Sequence, residues 1–327
     1  MRQAAVSRPL SARLSLKRWD FWTWTTIVIY AFLFLFIAYP LFSLFYSSLF
    51  NEDGMLTFAN YYDVLSLKYY RNAIVNSFKV SALATFFAVL VGVPLAYVAT
   101  RFQIKGKGLL NMMIVMSLLS PPFIGAYSWI LLLGNNGFIT RFLKEVGIPF
   151  QSIYGLHGII FAFTMHYYPH IYLYVSGALK TIDTSLEEAS ASLGMTGWRR
   201  LWTVTFPLIF PTLSTGALMV FMASFADFGT PMLLGQGVKT LPVLAFEQFI
   251  SEMGGNPAMA STLSVLLILC STTILFTQRY MVSRKNYAMT GMRTPKVIPL
   301  PPAKSWLLTG LVFIPALISI LPQVTVV

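Results

Sequence analysis

The chain has 327 residues, 56% of them hydrophobic and only 10% charged, a balance that excludes an ordinary soluble domain. A net charge of +12 raises nucleic acid as a partner, but the basic residues sit in short segments beside apolar runs, which is a membrane-topology pattern and not a binding face. The single Cys270 excludes disulfides and cysteine-based metal sites within one chain.

Residues 1–20 form a basic tail, with Arg2, Arg8, Arg13, Lys17 and Arg18 and no acid among the first 18 residues. Apolar runs near the length that crosses a bilayer follow at approximately Trp24–Tyr46, Ala73–Thr100, Leu109–Leu133, Leu156–Leu179, Phe206–Phe225, Ala258–Thr277 and Trp306–Pro322. They predict an all-α integral membrane protein, a polytopic bundle of about seven transmembrane helices. The first run is too long for a signal peptide and lacks a small-residue cleavage site after it. Trp22, Trp24 and Trp306 suit the interfacial aromatic belt.

With the N-terminus in the cytoplasm, the tail and the alternate connectors hold 17 of the 23 basic residues. These connectors carry Arg101, Lys105 and Lys107, then Lys180, Arg199 and Arg200, then Arg279, Arg284, Lys285, Arg293, Lys296 and Lys304. The outer connectors carry only Lys68, Arg71, Arg141, Lys144 and Lys239, and Lys79 lies within a span. That asymmetry fixes the orientation.

Within the spans, Pro121-Pro122 predict a break in the third, since proline removes a donor and clashes with the previous turn. The break is either a plain kink or a bend lining a pathway. Met165-His166-Tyr167-Tyr168-Pro169-His170 offers His166 and His170 as candidate metal ligands. Pro169 is expected to disturb the helix that would align them, and hydrogen bonding to neighbouring helices is the competing reading. No metal site and no cofactor are therefore assigned.

The longest polar interruption runs from Asp183 to Pro211. Ser185 followed by Glu188 reads as a capping box, with Glu187 and Glu188 in the first turn of a short helix. Leu186, Ala189 and Leu193 fall on one apolar stripe, and Gly194 is placed to end the helix. A second short helix after Thr196 carries Trp198, Leu201 and Trp202 beside Arg199 and Arg200, an interfacial pattern that leads into the next span through Pro207. A short helix with a small-residue face between two spans is a natural knob for a groove on another protein.

After the fifth span, Gly and Pro content predicts irregular, partly re-entrant backbone from Phe225 to Ser261. Asp227 is the only acid close to a span and would be costly facing lipid. It is expected either to cap or pair locally, with Lys79 as a partner, or to line a translocation path. No G-x-x-x-x-G-K-[ST], H-E-x-x-H or G-x-S-x-G occurs, so the chain is not expected to be an enzyme by itself.

Glu188-Ala189-Ser190, Gly194 and Val204-x-Phe206-Pro207 resemble the EAA loop of bacterial ATP-binding-cassette import permeases, with Ser for the second Ala, Val for Ile and Phe for Leu. The spacing from Glu188 to Pro207 is intact. Asn76-Ser77 and the Gly92, Pro94, Ala96, Tyr97 and Arg101 set look like the opening of the family's core domain. Asp227-Phe-Gly-Thr-Pro-Met resembles the ferric-iron branch. The resemblance implies a type I importer transmembrane domain in the bacterial inner membrane, with ABC ATPase subunits, an extracytoplasmic substrate-binding protein and a second permease half as partners. It places Ser185, Glu187, Glu188, Ala189, Ser190, Leu193, Gly194 and Pro207 in the ATPase-coupling loop.

The domain reading is a tail (1–20), a first span and outer loop (21–68), a core (69–280) with a coupling loop (180–205), a cytoplasmic linker (281–305) and a seventh span (306–327) that could open a second half. Ile318–Val324 faintly echoes Ile37–Leu44. Ferric iron is the expected cargo, with phosphonate, polyamine, thiosulfate or sulfate as alternatives in the same class. An ion-driven secondary transporter is the alternative of a different class, disfavoured by the scarcity of intramembrane acids.

Overall fold

The computed structural model describes residues 20–50, 55–149, 151–250, 256–283 and 297–326. The basic tail and the linker residues Arg284, Lys285, Arg293 and Lys296 lie outside them. Two compact units form, Met1–Tyr46 and Ser47–Val327. The first is described by one helix, α1 (Phe21–Leu49), which begins at Asp20, whose carboxylate accepts from the Phe21 N–H, and runs on past the unit boundary. Its 29 residues rise about 43 Å, enough to cross a bilayer.

The second unit is built on two long helices, α3 (Lys68–Arg101) and α7 (Leu156–Thr181), with the short α2 (Ala59–Ser66) ahead of them. Every turn of α3 presents a small residue on one buried face: Ala73, Ser77, Ser81, Ala84, Ala88, Gly92 and Ala96. Small side chains at this spacing let two backbones approach closely, which is how helices associate where lipid removes the hydrophobic drive. The approach is tightest at Gly92, where an added Cβ would lie 2.8 Å from Ile171 Cβ and 2.9 Å from the Tyr168 carbonyl oxygen. Opposite, α7 buries Phe163, Tyr168, Ile171, Val175 and Leu179.

The expected third span is not a single rod. It divides into α4 (Lys107–Leu118) and α5 (Pro122–Leu133), followed by α6 (Phe138–Glu145), and the axes of Lys107–Leu118 and Pro122–Glu145 differ by 105°. Pro122 pushes the residue before it out of the helical region, and Pro121 sits at φ −58°, ψ 140°. Pro169, by contrast, does not interrupt α7, against expectation. The packing of Tyr168 and Ile171 holds the flanking backbone helical.

After α8 (Thr184–Ser192), residues Gly197–Ala226 form one helix, α9. The second helix expected after Thr196 thus begins at Gly197 and leads straight into the fifth span, through a π turn over Leu201–Thr205. The segment expected to be irregular is largely helical, as α10 (Gly229–Leu234) and α11 (Leu241–Ile250). Helices α12 (Pro257–Ser283) and α13 (Pro302–Val326) complete the chain, and α13 packs against α4 and α5.

Among the described residues five helices are long and apolar enough to cross a membrane: α1, α3, α9, α12 and α13. The bent α4–α5 pair makes a sixth. Helix α7 is less apolar because of its tyrosines and histidines, but its 26 residues rise about 39 Å and its core face is covered by protein. With it the described residues offer seven candidate crossings, where length and apolarity together give five or six.

The connectors also sort by end. Phe102 pairs with Ile298 in an isolated parallel bridge, Lys105 lies 4.2 Å from the Trp306 ring centroid, and Lys107 and Lys180 line one cavity. Three of the basic connectors thus meet at one end of the bundle. At the other end Asn76 Nδ2 donates to the Lys239 carbonyl, the Leu241 N–H donates to Ser77 Oγ, and Lys239 pairs with Glu247.

Candidate functional site

The loop between α7 and α9 carries α8, and its two ends are closed by local chemistry. Asp183 is extended at φ −70°, ψ 128°, and its carboxylate accepts from the Ser185 N–H at 2.9 Å. The cap is therefore Asp183, and Ser185 lies within the first turn; the expected Ser185–Glu188 capping box is replaced by an Asp cap two residues earlier. At the other end the Gly194 N–H donates to Ala191 O (2.9 Å) and the Met195 N–H to Ser190 O (3.1 Å), with Gly194 at φ +74°. Those paired bonds around a left-handed glycine are a Schellman motif. Glycine is needed for the backbone alone, since no atom lies within 4 Å of where its Cβ would be.

Between these caps α8 is held against the body mainly by Ser190, which is 5% exposed. The apolar stripe points away from it: Leu193 is 80% exposed and Leu186 39%, and Ala189 is also exposed. Ser185 and Glu188 are exposed too, while the side chain of Glu187 lies outside the described set. Among the described residues nothing covers Leu193, so the capped helix leaves its apolar stripe and Glu188 at the surface.

Downstream, Thr203 Oγ1 lies 3.7 Å from Met195 Sδ and donates to the Arg199 carbonyl at 2.6 Å, tying the Schellman turn to the start of α9. The π turn ends two residues before Pro207, which has no N–H for the Thr203 carbonyl and so favours a local rewinding of the helix. Trp198, Trp202, Phe206 and Phe210 follow one another along one face in edge-on and tilted contacts, with centroids 5.9, 5.1 and 6.2 Å apart.

The intramembrane candidates gather around the α4–α5 break. A cavity of about 20 Å³ is lined by Ser117, Ser120, Pro122, His166, Thr230 and Gln323, among others. Asp227 sits beside it: its carboxylate accepts from the Thr230 N–H at 2.9 Å and from the Tyr167 hydroxyl at 3.4 Å. It caps α10 and bonds to α7, and Lys79 is not among its described partners, so the expected Lys79 pair is replaced by this local cap. Pro121 contributes the bend without lining the cavity. Among the described residues no group of three or more His, Cys, Asp or Glu side chains could hold a metal ion.

Sequence reasoning missed the long-range partners of α7. Tyr168 and Ser319 share a hydrogen bond of 2.8 Å, and Tyr172 donates to Asn111 Oδ1 at 2.5 Å. The crowding of tyrosines at 167, 168 and 172 was the available signal.

Comparisons with known proteins agree with this geometry. The family model described as "Binding-protein-dependent transport system inner membrane component" matches residues 88–287. A putative ferric transport system permease protein, FbpB 1, of Haemophilus influenzae is 29% identical over 262 residues, 78% of this chain and 40% of that protein. The molybdenum transport system permease protein ModB of Escherichia coli K12 is 28% identical over 211 residues, 63% of this chain and 91% of that one. The chain thus spans about two fifths of the length of the ferric relative. Among solved structures, a bacterial ABC transporter involved in the import of the polysaccharide alginate superposes with a TM-score of 0.68 at 16% identity, over 80% of this chain and 96% of that one. The MetNI methionine ABC transporter superposes with a TM-score of 0.53 at 20% identity, over 70% and 99%.

Proposed function

The chain belongs to the family of binding-protein-dependent transport system inner membrane components, and from that premise we propose that it forms the translocation pathway of an ATP-driven importer in the bacterial inner membrane. The observation that carries this reading is α8: a helix capped at both ends, bearing exposed Leu186 and Leu193. It leaves α7, whose Lys180 lines a cavity with Lys107 at the end of the bundle where the basic connectors meet. Its occupant is a cleft on an ABC ATPase. Closure of the ATPase on ATP moves α8, and α7 and α9, which leave its two ends, carry the movement toward the outer gate. Glu188 supplies a charged contact, Ala189 permits close approach, and Ser190 anchors the helix to its own bundle. An extracytoplasmic binding protein delivers cargo, and a second permease half completes the pathway. The chain itself has no nucleotide-hydrolysing loop.

Ferric iron is the cargo we assign, because the relatives named for ferric transport align over 262 residues, against 211 for ModB of Escherichia coli and 182 for a probable sulfate permease of Chlorokybus atmophyticus. Uptake by membrane vesicles that carry the whole transport system tests both levels. Ferric uptake that needs ATP and survives an ionophore supports the reading. Uptake abolished by the ionophore with ATP present replaces it with an ion-driven transporter, and ATP-dependent uptake of molybdate or sulfate instead of iron replaces only the cargo.

A further inference from the structure

At the cytoplasmic end, α3, α4 and α7 enclose a second cavity of about 180 Å³, separate from α8 and from the cavity at the helix break. Its polar wall is Thr100, Lys107, Asn111, Tyr172, Ser176 and Lys180. Lys107 begins α4 and Lys180 lies in the last turn of α7, and both side chains line this one cavity. No Asp or Glu lines the cavity, and among the described residues neither lysine has a carboxylate partner. The Tyr172 hydroxyl donates to Asn111 Oδ1 at 2.5 Å, so the oxygen of that amide is occupied and its NH₂ is the group left to bond. Ser176 donates its proton to the Leu173 carbonyl at 3.1 Å. The rim is apolar, with Val115 43% and Leu173 42% exposed.

Two cations that repel each other within a concave, partly dry site are stabilised by an anion between them. A compact ammonium on a flexible stem is a general phosphate binder, and basic pockets between transmembrane helices at the cytoplasmic face recognise lipid headgroups. We infer that this cavity binds an oxyanion of the phosphate class, either free in the cytoplasm or as the headgroup of an anionic lipid whose chains lie along the Val115–Leu173 rim. The bound anion ties the cytoplasmic half of the broken helix to the end of α7, three residues before the cap of α8.

The test uses the full-length protein purified in detergent with the subunits that accompany it, and reads its thermal unfolding midpoint. Sodium phosphate is titrated against sodium chloride at matched ionic strength, and phosphatidylglycerol micelles against phosphatidylcholine micelles. A saturable rise in the midpoint is expected, with apparent affinity about tenfold weaker in Lys107→Gln or Lys180→Gln, the loss that follows from removing one charge-assisted bond. A rise with phosphate alone assigns the free anion, one with phosphatidylglycerol alone assigns the lipid, and both together assign one site that accepts either. Lys107→Arg and Lys180→Arg keep the charge and retain the rise, which separates recognition from a folding defect, and Lys144→Gln at the other end of the bundle responds as the unaltered protein does. No saturable rise with either probe, or Gln variants that respond like the unaltered protein, overturns the inference.

Discussion

The side-chain amide of Gln323 donates to the carbonyl of Ser117 at 3.2 Å, across more than two hundred residues of chain. Ser117 lies four residues before Pro121, so its carbonyl is the one that the missing proline N–H leaves without a helical partner. Helix α13 thus supplies from outside the hydrogen bond that the break in α4–α5 removes. Gln323→Leu leaves a buried carbonyl unsatisfied and is expected to cost about 1–3 kcal/mol. Loss of that size in reversible detergent unfolding checks it; an unchanged midpoint contradicts the role given to Gln323.

Close approach of α3 to α7 predicts an asymmetry between two glycines. Gly92→Ala places a methyl 2.8 Å from Ile171 Cβ and is expected to destabilise by about 1–3 kcal/mol through overpacking. Gly177→Ala meets no atom within 4 Å and is expected to stabilise α7 by up to about 1 kcal/mol, the ordinary gain of alanine over glycine in a helix. Unfolding of the two variants side by side decides between packing and propensity.

Asp183→Ala removes the observed cap and is expected to weaken α8 by about 1 kcal/mol, raising hydrogen exchange in its first turn. Ser185→Ala leaves exchange there unchanged. The reverse order would restore the capping box as the device that starts this helix.

Gly194→Val forces a β-branched residue to φ +74° at a cost of about 1–2 kcal/mol, whereas Gly194→Asn is tolerated better because Asn visits that region. Since nothing packs on Gly194, membrane insertion survives in both. Gly194→Val is expected to uncouple ATP hydrolysis from transport, and Gly194→Asn to retain more of it. Gly194→Asp abolishes transport by adding a charge to the docking face, and wild-type uptake by that variant would remove the docking role.

Much of this was legible because it is written locally. Runs of apolar residues near bilayer length gave the spans, and the connectors rich in Lys and Arg are the ones that meet at one end of the bundle. Gly194 announced the end of α8 because only the turn around it demands a left-handed residue. What was not legible depends on contacts far along the chain. Pro121 breaks its helix as expected, because the proline that follows drives it extended, but Pro169 does not, since it follows Tyr168, pinned by the distant Ser319. Asp183 and Ser185 were both competent caps two residues apart, and which one accepts is set by where Ile182 leaves α7. For Asp227 a local cap was one of the alternatives, but its donors, the Thr230 N–H and the Tyr167 hydroxyl, could not be named from the sequence. Asn111, Ser319 and Gln323 carried no signal, because a single polar residue in an apolar run does not name its partner.

The central claim is that α8 docks on an ATPase, and the most direct measurement places a photo-activated cross-linking residue at Leu193 in native membranes. The account predicts an adduct with a P-loop ATPase subunit whose yield changes with nucleotide, and none from the same group at Phe142 at the opposite end of the bundle. Equal labelling from both positions, or adducts from Leu193 only with lipid, would contradict it.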